Sequence, residues 1–248
     1  MQSQPAHKDP VWKQLVEGLP ATVENISAEI RSALDANGYL HITSPMSMEN
    51  YDLIAGRLGT IVLRSDVKVN AERANAQEHG RRIKGRGGIY SPSALHLHTD
   101  PNADLVSWYC VEQDETGGSM LMLDTGNLEG HFSPQELKIL GRVELWSPWK
   151  SGDGLETISS VPLISRGTGR HKIFFAPWLL RDSYDSEATI ILEKFLAYVD
   201  GLEKKHLISL PVKKHDTIFI DNGRMLHGRG ALPETSRRHL VRLYLRAA

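Results

Sequence analysis

The apolar positions change their period early in the chain. In residues 22–36 (TVENISAEIRSALDA), Val23, Ile26, Ile30 and Leu34 recur three and four residues apart, the spacing of one helix face. Gly38 stands where a glycine ends such a helix. Residues 39–43 then read as a strand, and 47–58 predict a second helix that stops at Gly59. From there short apolar runs, mostly separated by turn residues, predict strands at 60–64, 66–70, 89–97, 104–110, 119–124, 142–148, 158–164, 171–176, 206–212, 216–221 and 239–246. Two helices interrupt them. Ser133-Pro134-Gln135-Glu136 is a capping box with proline at the first helical position. Residues 186–200 form an amphipathic helix through Ile190, Ile191, Phe195, Leu196 and Val199.

No internal repeat, low-complexity tract or linker divides the chain. Its 248 residues are therefore expected to make a single mainly β domain, a sandwich or jelly roll with covering helices, behind a loose leader at 1–20. Composition narrows the function. The net charge is −1, which gives no footprint for nucleic acid or an anionic membrane. No apolar run approaches the ~18 residues that cross a bilayer, and the polar N-terminus has no secretory signal. The single cysteine, Cys110, can form no internal disulfide, which fits a reducing cytoplasm, and it rules out a cysteine-based zinc site. It is expected to be buried and inert. The basic, glycine-rich stretch 80–88, GRRIKGRGG, reads as a solvated loop, as a lid over an anion-binding site, or, least readily, as a nucleic-acid patch.

Any metal must then be held by histidine and carboxylate. The run Ser93-Ala94-Leu95-His96-Leu97-His98-Thr99-Asp100 offers two such ligands, because side chains two apart on a strand share a face. His98 and Asp100 supply one imidazole and one carboxylate. A distant histidine would complete a facial triad that leaves the opposite positions of Fe(II) open. His227, in DNGRMLHGR at the end of the strand 216–221, is placed to do so. Two other readings of these histidines are open. The chain has 11 histidines, so any one of them can be an ordinary core or surface residue. His96 shares the parity of His98, so a His96–His98 pair is the alternative ligand set and would suit a zinc hydrolase, although no HExxH base arrangement accompanies it.

The blocks HTD, then GGSMLMLD at 117–124, DNGRMLHGR at 221–229 and RRHLVR at 237–242 resemble the Fe(II)/2-oxoglutarate dioxygenases. Within these, the chain is most similar to the taurine-dioxygenase and clavaminate-synthase-like group. The likeness spans residues about 50 to 246 and includes the helix–Leu-Gly–strand passage SMENYDLIAGRLGTI. It implies a double-stranded β-helix (jelly-roll) core, with Fe(II) as metal, 2-oxoglutarate as co-substrate and O₂ as oxidant. A small-molecule substrate, anionic or amino-acid-like, would be hydroxylated, desaturated or cyclised. With Asp100 in place, halogenation is disfavoured. The remaining alternative is a jelly-roll binding protein without catalysis.

By the same resemblance the far carboxylate of 2-oxoglutarate falls to Arg238, eleven residues beyond His227, because the guanidinium fork meets a carboxylate in two parallel bonds. Arg237 should face the other way. Arg242 shares the parity of Arg238 and matches the position that meets a substrate anion in taurine-dioxygenase-like members, with a structural ion pair as its alternative. Where the group often has Gly-Gly-x-Thr, this chain has Met120, which donates no hydrogen bond. Ser119 could replace that hydroxyl but has the opposite parity. Trp178 lines the substrate mouth or is a buried aromatic. Asn70 contacts substrate or simply ends a strand. Trp108, Phe174 and Phe175 read as core.

Overall fold

The computed structural model describes residues 20–69, 90–150, 156–167 and 169–247. Asn70, the 80–88 stretch and the leader through residue 19 lie outside them. In chain order the elements are α1 (Pro20–Asn37), β1 (Tyr39–Ile42), α2 (Met48–Leu58), β2 (Gly59–Lys68), β3 (Leu95–His98), β4 (Leu105–Glu112), β5 (Met120–Asp124), α3 (Pro134–Leu140), β6 (Glu144–Lys150), β7 (Glu156–Pro162), β8 (Ile164–Arg166), β9 (His171–Ile173), α4 (Ser186–His206), β10 (Ile208–Leu210), β11 (Thr217–Asp221), β12 (Met225–Arg229) and β13 (His239–Ala247).

Two antiparallel sheets carry the architecture. One runs β1-β11-β4-β13-β2 and the other β10-β5-β12-β3. The inner strands β4, β11 and β12 are buried on both faces, so side-chain parity separates three layers. On β4, Leu105 and Tyr109 point outward and pack with Ile26, Ile30, Tyr51 and Ile54 of α1 and α2. Val106, Trp108 and Cys110 point inward and meet Met120, Met122, Met225 and Tyr244. On the smaller sheet, Leu123 and Leu226 point outward to Leu137, Phe195 and Val199 of α3 and α4. The jelly-roll sandwich expected from the strand pattern is therefore present, with one helix pair against the outside of each sheet.

Several boundaries differ from the sequence reading. The two strands expected at 60–64 and 66–70 are the continuous β2, which pairs with β13 across a bulge between Tyr244 and Leu245. Of the described residues 90–97, only those from Leu95 onward are strand, in β3. The helix started at 186 continues to His206, since its polar tail costs nothing on a solvated surface. Its buried face is Ala188, Leu192, Phe195 and Val199, while Ile190 stands 63% exposed. The main omission is β12, which supplies the middle of the smaller sheet. The capping box is formed: Ser133 Oγ accepts from the Glu136 amide, and the Glu136 carboxylate accepts from the Ser133 amide at 2.8 Å.

Candidate metal and co-substrate site

His227 lies on β12 itself, beyond the turn Asp221-Asn222-Gly223-Arg224, and pairs across the ladder with His98 on β3. Gly228 makes this possible. A Cβ there would lie 2.5 Å from the Leu95 carbonyl oxygen, so only glycine lets β12 approach β3 where the register shifts. Asp100 follows β3. Thr99, between the two ligands, turns outward: its amide donates to the Phe175 carbonyl at 2.7 Å and its Oγ1 accepts from the Phe175 amide at 2.9 Å. Asn222 fixes the segment from the far side. Its amide oxygen accepts from the Asp100 amide at 2.9 Å, and its nitrogen donates to the carbonyls of Asp100 and Ala103 at 2.7 and 2.8 Å.

The ligand atoms of His98, Asp100 and His227 thereby come within 4.8 Å of one another, and all three residues are buried. His98 Nδ1 lies 2.8 Å from the His96 carbonyl. A carbonyl can only accept, so Nδ1 carries the proton and Nε2 offers its lone pair. That Nε2 is 3.7 Å from Asp100 Oδ1, and His227 Nε2 is 3.3 Å from Asp100 Oδ2. Burial, then the neighbouring His98, push His227 down to about 4, so it is neutral near pH 7. Burial alone would raise Asp100, but Arg242 and the two histidines hold it well below the usual carboxylate range. Two neutral imidazoles and one carboxylate suit a divalent metal that keeps open positions. His96 is not part of this cluster.

Arg242 points inward from β13. Its Nη1 is 3.3 Å from Asp100 Oδ2, and its Nε donates to Ser65 Oγ at 3.3 Å. Its guanidinium stacks on Tyr244, 4.6 Å from the ring centroid. Arg238 is buried while Arg237 is exposed. Arg238 lines one small cavity with His98, His227, Trp108, Met120, Arg229, Leu240 and Arg242. Its Nη2 is buried without a hydrogen-bond partner. Burial, then the positive charge of Arg229, lower Arg238 to about 10, so it stays protonated. Arg229 is also buried, and its guanidinium donates to the carbonyls of Ser91, Ser93 and Gly230. No carboxylate forms an ion pair with Arg229 or Arg238 among the described residues.

The other sequence candidates fall as follows. Met120 faces the cavity, whereas Ser119 is not among its lining residues and uses its carbonyl to accept from the Gly230 amide. Trp178 stands against the metal cluster, its ring 5.0 Å from that of His98. Trp108, read from the sequence as core, also touches the site: it is buried, and its ring meets the edge of His227 at 5.0 Å. The signal was available in its parity, which it shares with Val106 and Cys110.

A jelly roll that brings two histidines and a carboxylate to one buried point, with unpaired arginine beside them, defines a non-haem metal oxygenase class. The taurine catabolism dioxygenase TauD, TfdA family model matches residues 14–244, and the chain belongs to that family of iron- and 2-oxoglutarate-dependent oxygenases. No curated protein matches it in sequence. Among solved structures it is similar to the non-haem iron oxygenase OrfP in complex with Fe and α-ketoglutaric acid, at 17% identity and TM-score 0.67 over 97% of this chain and 85% of that one. It is also similar to an asparagine oxygenase in complex with Fe(II), 3-hydroxyasparagine and succinate, at 15% identity and TM-score 0.68 over 95% and 82%.

Proposed function

We propose that the chain oxidises a C–H bond of a small amino-acid-like substrate, with Fe(II) held by His98, Asp100 and His227 and with the far carboxylate of 2-oxoglutarate held by Arg238. The observation that carries this reading is the unpartnered Nη2 of Arg238, buried in the same cavity as both histidines. A buried guanidinium without a counter-ion is costly, and an incoming carboxylate relieves that cost. The metal, when bound, supplies the oxidising chemistry of the family through O₂ and the co-substrate. The chain's own part is to orient and to exclude water. Trp108 and Trp178 wall the two histidines, and Asn222 keeps Asp100 in place.

Arg242 serves as the substrate's anion anchor in this reading. Its Nη1 lies 3.3 Å from Asp100 Oδ2. A divalent metal held by Asp100 would meet that carboxylate's charge and leave the guanidinium to a substrate carboxylate. The structures of hydroxyarginine and hydroxyasparagine complexes among the similar folds support an amino-acid-like ligand. Hydroxylation, desaturation or ring closure fits this site and halogenation does not, because Asp100 takes the ligand position a halide would need.

The test is anaerobic loading with Fe(II) followed by titration with 2-oxoglutarate, reading the weak visible band of the metal-bound 2-oxo acid. Succinate release is then screened across amino acids. A band in the wild type that disappears in His227→Ala, together with amino-acid-stimulated succinate release, supports the reading. Iron-loaded protein without a band overturns it.

A further inference from the structure

Arg238 precedes β13, which begins at His239, and the pairing of that strand with β4 shifts register between His239 and Leu240. Sheet hydrogen bonds therefore do not set its position. Two consecutive residues just beyond β4 do so instead. Asp114 accepts from the Ser236 hydroxyl and, at 3.0 Å, from the Arg237 amide. Ser236 Oγ in turn accepts from the Arg238 amide at 3.2 Å. That chain of bonds holds the backbone. The side chain is held by Gln113, whose amide oxygen accepts from Arg238 Nε at 2.9 Å while its amide nitrogen donates to the Gly117 carbonyl at 3.2 Å. The donor bond fixes which way the amide faces, so the oxygen is the atom presented to the arginine.

Gly118 completes the cradle. Its φ is +67°, and a Cβ there would lie 3.2 Å from Gln113 Nε2 and 3.5 Å from Arg238 Cδ. Met120 lines the same cavity as Arg238 and brings no hydroxyl that could give a carboxylate a second donor. Arg238 is thus oriented by a neutral amide that uses Nε and leaves the positive charge uncancelled.

We propose that Gln113 is a positioning residue for the co-substrate: it clamps Nε of Arg238 so that the outer nitrogens face the far carboxylate. In the absence of a hydroxyl at position 120, it takes over the orienting task. The proposal rests on the reading of Arg238 given above. A neutral amide is required, because a carboxylate at 113 would pair with the guanidinium and compete with the ligand.

The test uses iron-loaded, anaerobic wild type, Gln113→Met and Gln113→Glu. Each is titrated with 2-oxoglutarate and with 2-oxopentanoate, which has the same carbon chain but no far carboxylate. Gln113→Met should weaken 2-oxoglutarate about tenfold, the effect of one charged hydrogen bond, and Gln113→Glu should weaken it further. Binding of 2-oxopentanoate should stay within twofold of wild type. Variants that bind 2-oxoglutarate like wild type, or that weaken both ligands equally, overturn the proposal while leaving the co-substrate site standing. A wild type that holds iron but binds no 2-oxoglutarate overturns the site reading and the proposal together.

Discussion

The two ends of the buried site are built on opposite electrostatic principles. At the metal end the charges already balance: Asp100 lies between His98 and His227 and pairs with Arg242 at 3.3 Å. At the other end Arg229 and Arg238 share a wall without an acid, and one guanidinium nitrogen has no partner. The first end can hold its shape without a ligand. The second is held at a cost that only an anion removes. A protein that merely retained the fold would have no reason to keep that cost.

The largest test of this contrast removes the centre of the balanced end. Asp100→Ala should abolish iron retention and 2-oxoglutarate turnover. It should also destabilise the metal-free protein by about 3–5 kcal/mol, because Arg242 is left buried and alone. Metal analysis and urea unfolding read the two effects. The mirror experiment is Arg238→Met. Affinity for 2-oxoglutarate should fall about a hundredfold or more, while the ligand-free protein should become no less stable, since an uncompensated charge has gone. A melting temperature that drops as far as in Asp100→Ala would erase the contrast.

Acid should also act on the metal end. Burial lowers His227 to about 4, against 6.5 for an ordinary histidine. Between these values the unfolded chain binds a proton that the folded chain does not, so stability rises with pH there. The metal-free protein should therefore lose about 3 kcal/mol as pH falls from 6.5 to 4. Urea unfolding at intervals across this range checks it, and a flat profile would contradict the neutral, buried state of His227. Asn222→Ala leaves the Asp100 amide and two carbonyls without partners. It should cost about 2 kcal/mol and weaken iron about tenfold without touching 2-oxoglutarate affinity per iron bound. The smallest effect belongs to the other end. Gly118→Ala meets a φ of +67° and the Leu232 side chain at 2.5 Å, so about 1 kcal/mol should be lost, with a modest loss of 2-oxoglutarate affinity.

Much of the balanced end was legible in the chain. A two-residue spacing is enough to put His98 and Asp100 on one side of a strand, and both are local to one run. His227 was legible as a residue but not as part of a strand. Met225–Arg229 is five residues long, buried on both faces, and contains Gly228, so it shows no alternation to read. The arginine end was legible only through its likeness to known enzymes. Arg242 illustrates the limit: its parity was correct, but its pairing with Asp100 joins residues 142 positions apart, which no local pattern records. Gln113, Asn222 and Trp108 were missed for the same reason. Each acts through a partner more than a hundred residues away in the sequence.

The cross-strand pairing of His98 with His227 has a consequence for how such a protein can change. The two imidazoles are registered by the hydrogen bonds between neighbouring strands, not by the connections that wander between them. The β6–β7 hairpin, whose strands form a sheet of their own, can therefore be lengthened, shortened or exchanged while the ladder still brings the two imidazoles to the same place. Part of the outer surface is thus free to vary in a lineage without disturbing how the two histidines meet.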